Sequence, residues 1–298
     1  MREDPAGMPW ELLEGSVTGV GKAHSQDSRT VRPAADGRAL VLAVADGHGA
    51  KAHFRSDLGA RWAVEEFAQC AEGFAQEAVE LGDDVAKWPI LRAHVRSLPQ
   101  QFVHRWRERA LLHESNAPSD GATSARSLKE LEKGLPVYGS TLVGAVVTAR
   151  LLACWQLGDG DIVLLDGTGK ADAPLFTGPD IGDETDSICQ REAWRAVRTH
   201  WLPFTGGGPP RGVLLSTDGL SKSFAERSGF LQFAEEVGAM VAEQGTAHVR
   251  SRLTDWLAQA ARHSGDDTTL VGAFAVPVPS APPPRHTHIT GDMGGLTA

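Results

Sequence analysis

Cysteine is scarce in this chain: Cys70, Cys154 and Cys189 are the only three in 298 residues, and no two form a CxxC pair. An odd, widely spaced set of thiols argues against a disulfide framework or a structural zinc site and points to a reducing cytoplasm. Long apolar runs are also missing. No stretch approaches the ~20 apolar residues that a membrane span requires, and the acidic start, Met1 to Gly15, lacks the apolar core of a signal peptide. Positive charge is in deficit, with 29 Lys and Arg against 38 Asp and Glu and a formal net charge of −9. Nucleic acid is therefore disfavoured as a partner, because binding a phosphate backbone needs clustered Lys and Arg. The expectation is a soluble, cytoplasmic, monomeric protein without a membrane or nucleic-acid partner.

What is present is ordinary for a globular chain: 41% hydrophobic and 22% charged residues, at a length that buries a sizeable core without staples. Arg outnumbers Lys and Ala and Gly are abundant, as GC-rich bacterial coding favours. An acidic balance suits an enzyme that gathers cations in a cleft, and equally a surface charged for solubility.

The run Ala39–Ala45, ALVLAVA, predicts a strand buried on both faces, ending at Asp46-Gly47-His48-Gly49. Residues 56–80 predict a helix with Ser56 as its N-cap, and Ala63, Phe67, Cys70 and Phe74 on one face. A second helical stretch carries Trp88, Leu91, Val95, Leu98, Phe102 and Trp106, with a break or restart at Pro99. Both aromatic stripes read as core. Residues 114–136 read as a loop. Strands are predicted at 140–147, 151–155 and 162–165, the last two as a hairpin across the Gly158-Asp-Gly-Asp161 turn. The 167–210 segment gives little signal. A strand at 212–216, helices at 229–243 and 247–262, and a strand at 268–276 follow. Residues 1–276 thus form one domain, and 277–298 a Pro-rich tail expected to be disordered. Grouped strands with grouped helices predict an α+β fold of antiparallel sheets with helices packed outside.

Three aspartates sit at strand boundaries: Asp46, Asp218 and Asp266. The first two are followed directly by glycine. A carboxylate at a strand end is held by the sheet yet projects into open space, and carboxylate and carbonyl oxygens suit Mg²⁺ and Mn²⁺. A single Asp-Gly is ordinarily a turn. Three at strand boundaries suggest a metal site.

Six blocks along residues 21–270 resemble the metal-dependent protein phosphatase family, type 2C. They are Gly21-Lys-Ala-His-Ser-Gln-Asp-Ser28, Val44-Ala-Asp-Gly-His-Gly49, Gly139-Ser-Thr-Leu-Val-Gly144, Leu157-Gly-Asp-Gly160, Leu215-Ser-Thr-Asp-Gly-Leu220 and Gly265-Asp-Asp-Thr-Thr-Leu270. The resemblance implies a four-layer α-β-β-α sandwich, with two central antiparallel sheets flanked by helices. It also implies a serine/threonine protein phosphatase that activates water with two Mn²⁺ or Mg²⁺ ions. On it, Asp46 bridges the two metals, the Gly47 carbonyl is a ligand, and Asp218 and Asp266 complete the first ion's protein ligands. Asp159, with Asp218, matches the pair that holds a weaker third ion, although a plain turn residue remains its other reading. His48 matches the general acid that protonates the departing alkoxide, while His24 stays open between a supporting contact and filler.

Departures accompany the resemblance. Gln26 stands where many members have a glutamate ligand, so Asp27 takes that role directly or through water. Lys22 stands at the phosphate-binding arginine, Lys222 at a position acidic in some members, and Asp267 where asparagine is frequent. Gln26 and Lys222 favour the competing reading, a weakened or inactive member that binds phosphoproteins as a regulatory module, and the retained Asp46, His48, Asp159, Asp218 and Asp266 speak against it. A two-metal hydrolase of small phosphoesters or nucleotides is the other rival. The expected partners are phosphorylated proteins made by a cognate serine/threonine kinase.

Overall fold

A computed structural model describes residues 10–121, 127–178, 185–205 and 208–275. The Pro-rich segment expected to be disordered lies outside the described residues. One five-stranded sheet is ordered β2 (Ser28–Ala34), β3 (Ala39–Ala45), β4 (Leu142–Thr148), β5 (Leu151–Leu157) and β8 (Arg198–Pro203). The other is ordered β1 (Trp10–Val17), β10 (Thr268–Ala275), β9 (Gly212–Ser216), β6 (Asp161–Leu165) and β7 (Ala171–Asp172). All pairings are antiparallel.

Side chains on a strand alternate between faces, and β3 shows what its unbroken apolar run is for. Val41, Ala43 and Ala45 pack against α1 (Ser56–Leu81) and α2 (Trp88–Asn116), while Leu40, Leu42 and Val44 fill the space between the sheets. Across that space stand Ile162, Val213, Leu215 and Val271 of the second sheet. Its outer face, with Leu13, Val163, Leu214, Leu270 and Phe274, packs against α5 (Arg227–Gln244) and α6 (Thr246–Ser264). Each fully buried Leu, Val or Phe contributes roughly 1.5–3 kcal/mol, which makes these three layers of contact the main source of stability. The four-layer sandwich expected from the sequence is the one observed.

Several local expectations need correction. The second helix runs unbroken through Pro99. Proline has no N–H for the carbonyl four residues earlier; that carbonyl, Val95, instead accepts the Trp155 indole N–H at 2.8 Å. A tertiary partner thus replaces the lost helix bond. The hairpin is also reassigned: β5 pairs with β4 and β8, while β6 pairs with β9 and β7 in the other sheet. The Gly158–Gly160 turn carries the chain between sheets. Residues 114–136 are not all loop. The second helix extends to Asn116, and α3 (Leu128–Glu132) follows behind a capping box in which Ser127 and Glu130 satisfy each other's backbone N–H groups. Ser56 is the first residue of its helix and not the cap. Its hydroxyl instead donates to the His48 carbonyl at 3.0 Å.

Candidate metal centre

Three carboxylates converge where the two sheets end on the same side. Asp46 follows β3 directly, Asp218 follows β9 by one residue and opens the short helix α4 (Asp218–Ser221), and Asp266 lies two residues before β10. One oxygen from each lies within 4.8 Å of the others. Chain path and packing both enforce this. A Cβ on Gly47 would stand 2.7 Å from the Ser56 carbonyl oxygen and 2.8 Å from that of Gln26, so glycine alone fits behind Asp46. Likewise a Cβ on Gly219 would fall 2.0 Å from the Asp267 carbonyl oxygen, and glycine lets the Asp218 turn seat against the start of β10.

Burial raises the Asp46 carboxyl well above the usual carboxylate range, and the Asp27, Asp218 and Asp266 charges push it further the same way. Part of Asp46 opens to the cleft, but the packed protein around it removes most of its hydration. Asp27 is pushed up to about 7, chiefly by burial, against the opposing hydrogen bonds from Thr269 and Thr217. One oxygen each of Asp27 and Asp218 is buried with no hydrogen-bond partner. A buried acceptor left unpaired costs about 1–3 kcal/mol. A set of unsatisfied, mutually repelling carboxylates is what a hard divalent cation neutralises, so the residues present fit Mg²⁺ or Mn²⁺.

Two lysines flank the cluster. Lys22 pairs with Asp266, and with Asp267 at 3.0 Å. Burial works against its charge, but these carboxylates outweigh burial and hold its pKa above the ordinary value. On the other side Lys222 pairs with Asp218, and with Asp159 at 3.4 Å. Asp159 therefore meets the centre through Lys222 and Asp218. Burial, then Asp218, raises its carboxyl, with Lys222 opposing.

The remaining residues named from the sequence divide. Gln26 does not enter the three-carboxylate group. Its side-chain amide donates to the His48 carbonyl at 3.1 Å and to the Ser56 hydroxyl at 2.6 Å, bracing the Asp46–His48 turn. Asp27 accepts from the Thr217 hydroxyl at 2.8 Å. His48 is half-buried, with its ring edge-on to His53 at 5.0 Å. Burial and His53 hold its pKa below the usual value, with Asp159 opposing. His24 is exposed on the loop.

A family model for protein phosphatase 2C matches residues 19–258. The chain belongs to that family. The fold agrees. The Stp1 serine/threonine phosphatase of Staphylococcus aureus superposes with a TM-score of 0.56 at 15% identity, covering 93% of this chain and 99% of that one. PppA, a regulatory component of T6SS in Pseudomonas aeruginosa, gives 0.55 at 18% identity, covering 90% and 98%. The S. agalactiae serine/threonine phosphatase gives 0.52 at 14% identity, covering 90% and 100%. No curated protein matches the sequence significantly.

Membership makes this a metal-dependent serine/threonine protein phosphatase. The fold also shows supports in the phosphatase that were not assigned a role from the sequence. Thr141, within the Gly139-Ser140-Thr141 block, brackets the Asp46 backbone. Asp267 is fully buried and accepts the backbone N–H groups of Gly19 at 2.7 Å and Gln26 at 2.8 Å, tying the 19–26 loop to the centre. The signal available for both was their place inside matching blocks; their partners lie more than 90 residues away.

Proposed function

We propose that this phosphatase hydrolyses phosphoserine and phosphothreonine at a dinuclear Mn²⁺ or Mg²⁺ centre held by Asp46, the Gly47 carbonyl, Asp218 and Asp266. The observation that carries the reading is the convergence of the three carboxylates, with buried unpaired oxygens on Asp218 and Asp27. When bound, two divalent ions supply a water of lowered pKa and neutralise charge on the phosphoryl oxygens. Asp46, grouped with Asp218 and Asp266, would hold both ions. Asp27 would serve the second, directly or through water, with Gln26 fixing the turn behind it. His48, beside Asp46 and open to the cleft, would give a proton to the departing serine or threonine oxygen. Lys22, at the edge next to Asp266, would meet the substrate phosphate as a point charge and not as a bidentate fork. An intact carboxylate group speaks against the binding-module alternative.

The expected setting is a monomer in a bacterial cytoplasm, acting on phosphoproteins made by a serine/threonine kinase. Among the described residues no helix is long and apolar enough to cross a membrane. The deciding assay is release of phosphate from a phosphothreonine peptide with Mn²⁺, with EDTA, and with Mn²⁺ after Asp218→Ala. Metal-dependent release that is lost in the variant supports the reading, and a folded wild-type chain without release at any Mn²⁺ concentration overturns it.

A further inference from the structure

Asp159 and Asp218 come from different parts of the fold, the crossing between the sheets and the start of α4. Two carboxylates brought together in this way form the beginning of a cation site. The cation between them is supplied by the chain itself. Lys222 is the C-cap of α4, four residues after Asp218 and still helical in backbone, so one turn places its ammonium over that carboxylate. From there it reaches Asp159 Oδ2 at 3.4 Å. Asp218 consequently faces two ways: Oδ2 meets Lys222, and Oδ1 is buried and unpaired.

We propose that the Lys222 ammonium is a fixed third cation of the centre, so that the protein takes two divalent ions and admits no further ion between Asp159 and Asp218. The inference rests on the dinuclear reading above. Charge balance supports it. In the fully ionised state that metal binding requires, Asp27, Asp46, Asp159, Asp218, Asp266 and Asp267, set against Lys22 and Lys222, leave four negative charges, which two divalent ions neutralise. Tethering also favours the lysine. An ammonium on the same helical turn acts at high effective concentration, whereas a free ion at a two-carboxylate site binds weakly.

The test is Mn²⁺ stoichiometry of the full chain by calorimetry, with anomalous scattering to place the ions in crystals. Two ions are expected in the wild type, and the same two in Asp159→Asn. Lys222→Met keeps the aliphatic stem and removes the charge. It should take up a third ion between Asp159 and Asp218, with an affinity on the order of millimolar, and the gain should vanish in Lys222→Met/Asp159→Asn. Lys222→Gln serves as the second variant should the methionine side chain perturb folding. A third ion in the wild type that Asp159→Asn removes would overturn the inference and leave the dinuclear reading standing, as would both Lys222 variants, folded, stopping at two. A wild-type chain that binds no Mn²⁺ would overturn both.

Discussion

Thr141 holds Asp46 from both sides: its hydroxyl accepts the Asp46 N–H at 3.0 Å, and its own N–H donates to the Asp46 carbonyl at 2.8 Å. One of the three carboxylate residues is thereby fixed by the residue immediately before β4, 95 positions further along the chain. Thr141→Val keeps the shape and removes the acceptor, leaving the Asp46 N–H unpaired at a cost of about 1–3 kcal/mol. Mn²⁺ affinity should fall about tenfold, equivalent to about 1.4 kcal/mol, and Thr141→Ser should retain it. Calorimetry decides; wild-type affinity in Thr141→Val would remove the bracket from the account.

The carboxylates set a pH dependence. Asp27, pushed up to about 7, and Asp46, raised in the same direction, hold protons in the folded metal-free chain that the unfolded chain has released. The Asp27 contribution is complete below the ordinary carboxylate pKa of ~3.9 and is lost as pH rises through about 7; Asp46 acts in the same direction. Mn²⁺ binds the ionised forms, so the rise in Tm on adding it should be larger at pH 8 than at pH 5.5. Equal increments at the two pH values would contradict this.

The same argument gives a result opposite to intuition. Asp46→Asn removes a carboxyl that burial and its acidic neighbours penalise, so in EDTA at pH 8 it should raise Tm, by about 2–4 °C per kcal/mol gained. Phosphate release with Mn²⁺ should drop to background in the same protein. A lower Tm than wild type under those conditions would count against the repulsion.

Trp155 and Pro99 should be coupled. Trp155→Phe leaves the buried Val95 carbonyl unpaired and should cost about 1–3 kcal/mol. Pro99→Ala returns a helix N–H to that carbonyl, so the double variant should recover much of the loss. Urea unfolding of the four proteins forms a double-mutant cycle; strictly additive effects would refute the link.

Asp267→Asn tests the tie between the 19–26 loop and the centre. One carboxylate oxygen accepts from Gly19, and the other from Gln26 and Lys22. An amide keeps one acceptor oxygen, so it can serve either Gly19 or the Gln26 and Lys22 pair, but not both. Faster hydrogen exchange at the Gly19 or the Gln26 amide is expected, and unchanged protection at both would show that the tie carries little energy.

The boundary between what was legible in the sequence and what was not follows the sheets. The six interior strands β3, β4, β5, β6, β9 and β10 were all readable, and the four edge strands β1, β2, β7 and β8 were not. An interior strand is covered on both faces and pairs on both sides, so it must be an apolar run such as Ala39–Ala45. Edge strands such as Arg198–Pro203 are half-buried throughout and carry polar side chains that resemble loop. The Asp46, Asp218 and Asp266 carboxylates were legible for a related reason: strand ends bounded by Asp-Gly or by an apolar run leave a local mark. Other features depend on partners far apart in sequence. They include which sheet receives β6, whether Pro99 breaks a helix, what Gln26 and Thr141 hold, and where the Lys22 and Lys222 charges go. Local sequence marks the interior strands, the long helices and the strand-end carboxylates here because propensity and burial act within a few residues. Tertiary structure decides the pairing of charges and hydrogen bonds because those energies exist only once the two sheets have closed on one another.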